Sequence, residues 1–197
     1  MNNLILISTG GWIGIVIAVL VVFLIFWIIG VYNKLVQLRN KVRNGWSQID
    51  VQLKRRFDLI PNLAETVKGY ANLEKGIFEE FAKARGLYAQ ASQTGNVEQA
   101  AQANASLGGT LSRLLMVQER YPELKANANF QDMMKQLKDT EDKISYSRQF
   151  YNDIVLGYNN KIELFPNNII AGMFNFKAAQ FFEVTDNAQR EAPKVQF

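Results

Sequence analysis

The side chains best suited to chemistry in this sequence are carboxylates: Asp58, Glu65, Glu141, Asp142 and Asp153, all in stretches of helical periodicity. Neither histidine nor cysteine occurs among the 197 residues. That composition removes imidazole general bases, thiolate nucleophiles, disulfides and Cys/His metal sites together. Acid–base work would fall to carboxylates, Lys, Ser or Tyr held in a pocket. Asp58 and Glu65 are seven apart and can share a helix face, whereas the adjacent Glu141 and Asp142 point to different faces. An all-carboxylate metal site drawn from two helices is conceivable, but the Glu-x-x-His pattern of di-iron bundles is impossible here. The sequence therefore names no catalytic residue, no cofactor, no metal ligands and no small-molecule substrate.

A second constellation is ionic. Phe130, Met134, Leu137, Ile144, Tyr151, Val155, Tyr158 and Ile162 follow alternating intervals of three and four, with Glu141 and Arg148 in the two intervening positions. Such a heptad seam predicts helix-on-helix packing of coiled-coil type. Opposite charges within it demand partners. Arg55, Arg56 and Asp58 on an earlier helix are predicted to supply them, and exposure at the seam's edge is the competing reading. Trp46, Pro61 and Asn62 complete the set of predicted structural or interaction residues.

These groups need elements to position them, and the first element is a membrane segment. Gly11 to Val31 is uncharged throughout, as are the ten residues before it. As a helix it rises about 30 Å, enough to cross the hydrocarbon core. A cleaved signal peptide would show a basic start, a shorter apolar core and a small-residue cleavage site, and none is present. Beyond the span, Lys34, Arg39, Lys41, Arg43, Lys54, Arg55 and Arg56 face only Asp50 as a counter-charge up to position 56. The positive-inside rule then predicts a cell-membrane, single-pass protein with its N-terminus outside and its body in the cytoplasm. Lys34, Arg39, Lys41 and Arg43 lie near enough to the exit to face anionic lipid, each adding about 1 kcal/mol.

The rest reads as all-α. Leu35, Leu38, Val42, Trp46, Ile49, Leu53 and Phe57 or Ile60 recur at helical spacing. Gly45 costs about 1 kcal/mol in a helix and is expected to let another helix approach beside Trp46. Pro61 predicts a kink or a new first turn, with Asp58 as its cap. Helical spacing resumes to about Ser92, with Gly69 and Gly76 on one side for close packing. Thr94-Gly95-Asn96 is a turn, and Asn96 with Gln99 fits a capping box that opens a helix from Val97 towards Tyr121, which Gly108-Gly109 could bend. Tyr121-Pro122 and Phe165-Pro166 mark later boundaries. The expected fold is an N-terminal transmembrane helix followed by an elongated antiparallel bundle of three long helices, or four if the first is broken at Pro61. By domain this gives a short non-cytoplasmic N-terminus (1–10), the span (11–31), the bundle (32–182) and a flexible tail (183–197). The aromatic-rich stretch from Phe165 to Phe182 has three uses open to it: covering the bundle, binding a partner or touching the bilayer. Packing on the bundle is the default.

Specific runs carry a resemblance. They include Tyr32-Asn33, Trp46-Ser47-Gln48-Ile49-Asp50-Val51-Gln52-Leu53-Lys54-Arg55-Arg56, Asp58-Leu59-Ile60-Pro61-Asn62-Leu63, Tyr121-Pro122-Glu123-Leu124-Lys125-Ala126, Thr140-Glu141, Arg148, Tyr151-Asn152 and Phe165-Pro166. With these the chain resembles the LemA family of membrane-anchored bacterial helical proteins over nearly its whole length. Gly45 departs from the alanine usual before that tryptophan. The resemblance implies an N-terminal anchor and an antiparallel helical body, and it supplies no reaction.

Among function classes, a non-enzymatic membrane-anchored scaffold or adaptor fits best. The alternative is a homo-oligomeric protein that remodels or organises membrane. The partners expected are the lipid bilayer and either another protein or a second copy. Nucleic acid is not expected, because there is no aromatic-basic sheet, zinc site or free basic recognition helix.

Overall fold

The computed structural model describes residues 9–68 and 75–183, and these form six helices and no strand. In chain order they are α1 (Thr9–Lys68), α2 (Lys75–Thr94), α3 (Val97–Gln118), α4 (Pro122–Ala126), α5 (Ala128–Glu163) and α6 (Asn167–Met173). The long helices are thus four, with α2 a separate element. The expectations for the tail beyond Glu183 and for Gly69 lie outside the described residues.

Pro61 does not break α1, and Asp58 caps nothing: both lie inside the helix. An interior proline withholds one N–H and costs about 3 kcal/mol. Ile60, Leu63 and Val67 are buried around it. Each such burial is worth about 1.5–3 kcal/mol, so packing outweighs the break.

The residues fall into two compact units. One contains α1 up to Lys41 together with Gly157–Ala178; the other contains Val42–Leu156 and the segment from Ala179. In the larger unit α1 and α5 run antiparallel: Arg56 meets Glu141, while ten residues earlier Trp46 meets Tyr151. Gly45 is where the two helices come closest to forbidding a side chain. A Cβ there would sit 3.3 Å from Tyr151 Cδ2 and 3.6 Å from Ile154 Cδ1. The helix approach expected beside Trp46 is therefore real, whereas at Gly76 a Cβ would meet nothing within 4 Å.

α2 and α3 form an antiparallel hairpin through Gly95, whose φ of 66° suits a residue without a side chain. Asn96 Oδ1 accepts from the Gln99 N–H at 3.0 Å, the cap expected from the sequence. At the far end of the hairpin Glu80 of α2 accepts from Thr110 at 3.2 Å and pairs with Arg113. α2 joins α1 where the Tyr88 ring stacks on Phe57, with centroids 4.5 Å apart, and its hydroxyl donates to Asp50 Oδ1 at 3.0 Å. Burial, then the negative Asp50 beside it, raises the Tyr88 pKa.

On α5 the buried seam is Phe130, Met133, Leu137, Thr140, Ile144 and Tyr151. It runs one residue N-terminal to the expected line at two places, so Glu141 stands at the seam's edge and Arg148 is exposed. Thr140 tolerates burial because its hydroxyl donates to the Gln136 and Leu137 carbonyls of its own helix. After α6 the chain packs back onto helices. In the smaller unit Tyr158 donates to the Lys177 carbonyl at 2.9 Å, and Tyr32 lies against Phe174 and Phe176. In the larger unit Tyr151 donates to the Gln180 carbonyl at 2.8 Å, and Asn152 Oδ1 accepts from the Phe182 N–H at 2.9 Å. Packing is thus the fate of Phe176 and Phe182, which are buried.

Candidate functional site

Helical periodicity sends Arg56 inwards beside Phe57, and only 4% of it is exposed. A guanidinium there needs acceptors. Two converge on it: Asn104 Oδ1 from α3 and the Glu141 carboxylate from α5. Burial lowers the Arg56 pKa, and the neighbouring Glu141 charge and hydrogen bond act against that shift. Glu141 keeps 45% of its side chain exposed, so this pair bridges core and surface.

Arg56 and Glu141 also line a groove between α3 and α5 of about 640 Å³. Its walls are Leu111 and Leu115 from α3 and Met134 and Leu137 from α5, with Lys135 and Lys138 at its edge. Gly108 belongs to the α3 wall, and a Cβ there would meet open space. Leu115 is 42% exposed, so the apolar wall reaches the surface. Arg56 and Glu141 neutralise each other, which leaves the two lysines as the groove's net charge. The arrangement suits binding of an apolar stripe carrying acidic groups more than proton transfer.

Of the predicted site residues, the structure joins Arg56 and Glu141 and leaves the others apart. Asp58 pairs with Lys54 on the surface at 3.4 Å, and Arg55 and Arg148 are exposed. The expected five-residue network is therefore a three-residue one, completed by Asn104. Among the acids weighed for chemistry, Glu65 meets Lys68 at 3.5 Å and Asp142 and Asp153 are exposed. Asp58 and Glu65 thus end on different lysines. Trp46 is half-buried between Tyr151 and Phe182, with ring centroids 6.2 and 6.1 Å away. Pro61 is half-buried, and exposed Asn62 lends its carbonyl to the Thr66 hydroxyl at 2.9 Å. Lys34, Lys41 and Arg43 are exposed, while Arg39 lies over the Phe176 ring at 5.0 Å. That cation–π contact occupies one of the four charges assigned to lipid. The sequence signal missed for Asn104 was its place among the inward alanines Ala100, Ala101 and Ala103, where a lone polar residue is buried.

The LemA family profile matches residues 45–197. The chain belongs to the LemA family. The match begins at Gly45 and so takes in the whole Arg56, Asn104 and Glu141 constellation. Magnetosome protein MamQ 2 of Paramagnetospirillum magneticum is 28% identical over 175 residues, covering 77% of this chain and 64% of that protein. Magnetosome protein MamQ of Magnetospirillum gryphiswaldense is 25% identical over 174 residues, with the same coverage of both chains. Protein LemA of Metamycoplasma hominis is 26% identical over 163 residues, covering 82% of this chain and 73% of that one. This LemA-family chain thus spans about 64% of the length of the magnetosome relatives it matches. None of these names is that of an enzyme. The family and the apolar first half of α1, long enough to cross a bilayer, make this a membrane-associated protein.

Proposed function

We propose that this LemA-family protein is a non-enzymatic scaffold or adaptor, anchored by α1 and presenting its helical bundle to the cytoplasm. The observation that carries the reading is the continuity of α1. One helix from Thr9 to Lys68 supplies the exposed apolar run and then the buried positions Ile49, Leu53 and Phe57. Orientation rests on the positive residues that follow the span. The groove between α3 and α5 is the docking face, and its occupant is an acidic amphipathic helix of a partner protein. Charge selects that partner: Lys135 and Lys138 flank an apolar wall whose one carboxylate already belongs to Arg56.

In-cell photocrosslinking with a probe at Leu115 tests the proposal. A specific partner is expected, lost on Lys135→Glu with Lys138→Glu and retained on Arg148→Glu. Crosslinks insensitive to the lysines would defeat it. Self-association into a membrane-organising assembly is favoured by a different surface. There Val51 of α1 is 62% exposed and Tyr146 of α5 is 75% exposed, on either side of Gln52 and Ser147. A probe at Tyr146 that captures only further copies of this chain, with none captured by a partner at Leu115, would favour that second reading.

A further inference from the structure

The bundle does not absorb all the bulky residues that follow α5. Phe165 is 78% exposed, Ile169 53%, Met173 68% and Phe174 48%, whereas Ile170 and Ala171 are buried. Ile169 and Met173 are four apart and so share one face of α6. Isolated apolar residues on a protein surface are ordinary, but a stripe of four needs a neighbour.

Its place in the fold says which neighbour. Tyr32 immediately follows the uncharged run, and its ring lies 4.8 Å from that of Phe174 and 5.7 Å from that of Phe176. On α1 every side chain from position 12 to position 26 is exposed, while Trp27, Ile28, Val31 and Tyr32 are half-buried. The residues from Gly157 to Ala178 belong to the same compact unit as this end of the span. A helix of the span's length crosses about 30 Å of hydrocarbon, which puts Tyr32 at headgroup level and Phe174 beside it.

We propose that α6, with Phe165 and Phe174 at its two ends, is a second membrane contact that seats its apolar stripe in the headgroup–acyl boundary of the bilayer that α1 crosses. A short amphipathic helix lying in that boundary buries its apolar face about 5–10 Å deep. Lys34 and Lys177 are exposed in the same unit and stand ready for anionic headgroups. Two internal contacts hold the segment that follows α6, one to α1 and one to α5. The Arg39 guanidinium packs over Phe176, and the Tyr158 hydroxyl donates to the Lys177 carbonyl. The protein then touches its membrane twice, through a spanning helix and through a surface helix more than 130 residues later in the chain.

Since the chain has no cysteine, single labels can be placed cleanly. The test puts a spin label on Ile169→Cys, Met173→Cys and, as a bundle control, Lys138→Cys, each in the full chain in nanodiscs of phosphatidylethanolamine and phosphatidylglycerol. Collision with oxygen, which concentrates in lipid, is compared with collision with a water-soluble nickel chelate. Labels at 169 and 173 are expected to favour oxygen over nickel several-fold relative to the label at 138. Nickel access at 169 and 173 equal to that at 138 would place α6 in water and overturn the proposal. Exclusion of both reagents would mean that protein covers the stripe, which overturns it equally.

Discussion

The two halves of α1 obey different rules although one backbone carries both. From position 12 to position 26 every side chain is exposed and nearly all are apolar; from Leu35 to Val67 one side is buried, through Leu35, Val42, Ile49, Leu53, Phe57, Ile60, Leu63 and Val67, and of the charged residues only Arg56 joins it in the core. An all-round apolar helix suits lipid, whereas a one-sided one suits a protein core with water behind it. The difference teaches that the surroundings of this helix change within its length while the helix itself continues.

The largest expected effect breaks the first half alone. Leu20→Arg with Phe23→Arg costs about 3 kcal/mol for each charge at mid-membrane, so the protein should leave the membrane fraction on carbonate washing. Arginines placed at Val51 and Tyr146, both exposed in the bundle, should leave membrane retention unchanged. Loss of retention in both pairs would erase the distinction between the halves.

Next in size is the buried end of the second half. Glu141→Ala strands the Arg56 charge with Asn104 as its remaining partner and should cost about 3 kcal/mol in denaturant unfolding. Arg148→Ala, at an exposed position, should stay within about 0.5 kcal/mol. Equal costs would restore Arg148 to the five-residue network that the sequence suggested.

That pair of variants also marks where the sequence could be read and where it could not. Lines through Met134 and Glu141 or through Met133 and Thr140 share Phe130, Leu137 and Ile144, and methionine occupies both 133 and 134. A heptad repeat alone cannot choose between them, because a helix of 3.6 residues per turn drifts against it. The span, the Gly95 turn, the Asn96 cap and the approach at Gly45 were legible because each rests on local chemistry. Arg56 with Asn104, Tyr88 with Asp50 and the groove at Leu111 and Met134 join residues distant in sequence, and no spacing rule announces them. Pro61 misled for the opposite reason: its local cost is real, and tertiary burial of Ile60, Leu63 and Val67 overrides it.

A smaller effect is expected at Tyr151. Burial pushes its pKa from 10.0 up to about 12. Below pH 10 folded and unfolded chains both hold the phenol proton. Between there and pH 12 only the folded chain does, so stability falls as pH rises, by on the order of 2 kcal/mol. Tyr151→Phe should flatten that alkaline slope, and at pH 7 it should cost about 1 kcal/mol through the lost bond to the Gln180 carbonyl. An unchanged slope would show that Tyr151 does not hold its proton in the fold. The smallest effect belongs to Gly45→Ala. A gain of about 1 kcal/mol in helix propensity is offset by the 3.3 Å contact with Tyr151, so thermal unfolding should move little, while Gly45→Leu should destabilise clearly.

The contrast within α1 is tested most directly by scanning single cysteines from position 12 to position 67 of the otherwise cysteine-free chain in native membranes, with a water-soluble maleimide. Unbroken protection from 12 to 26 is expected, followed from Leu35 onwards by protection that recurs every three to four residues. The same three-to-four-residue rhythm running through 12 to 26 would mean that protein, and not lipid, surrounds the first half, and would contradict the account.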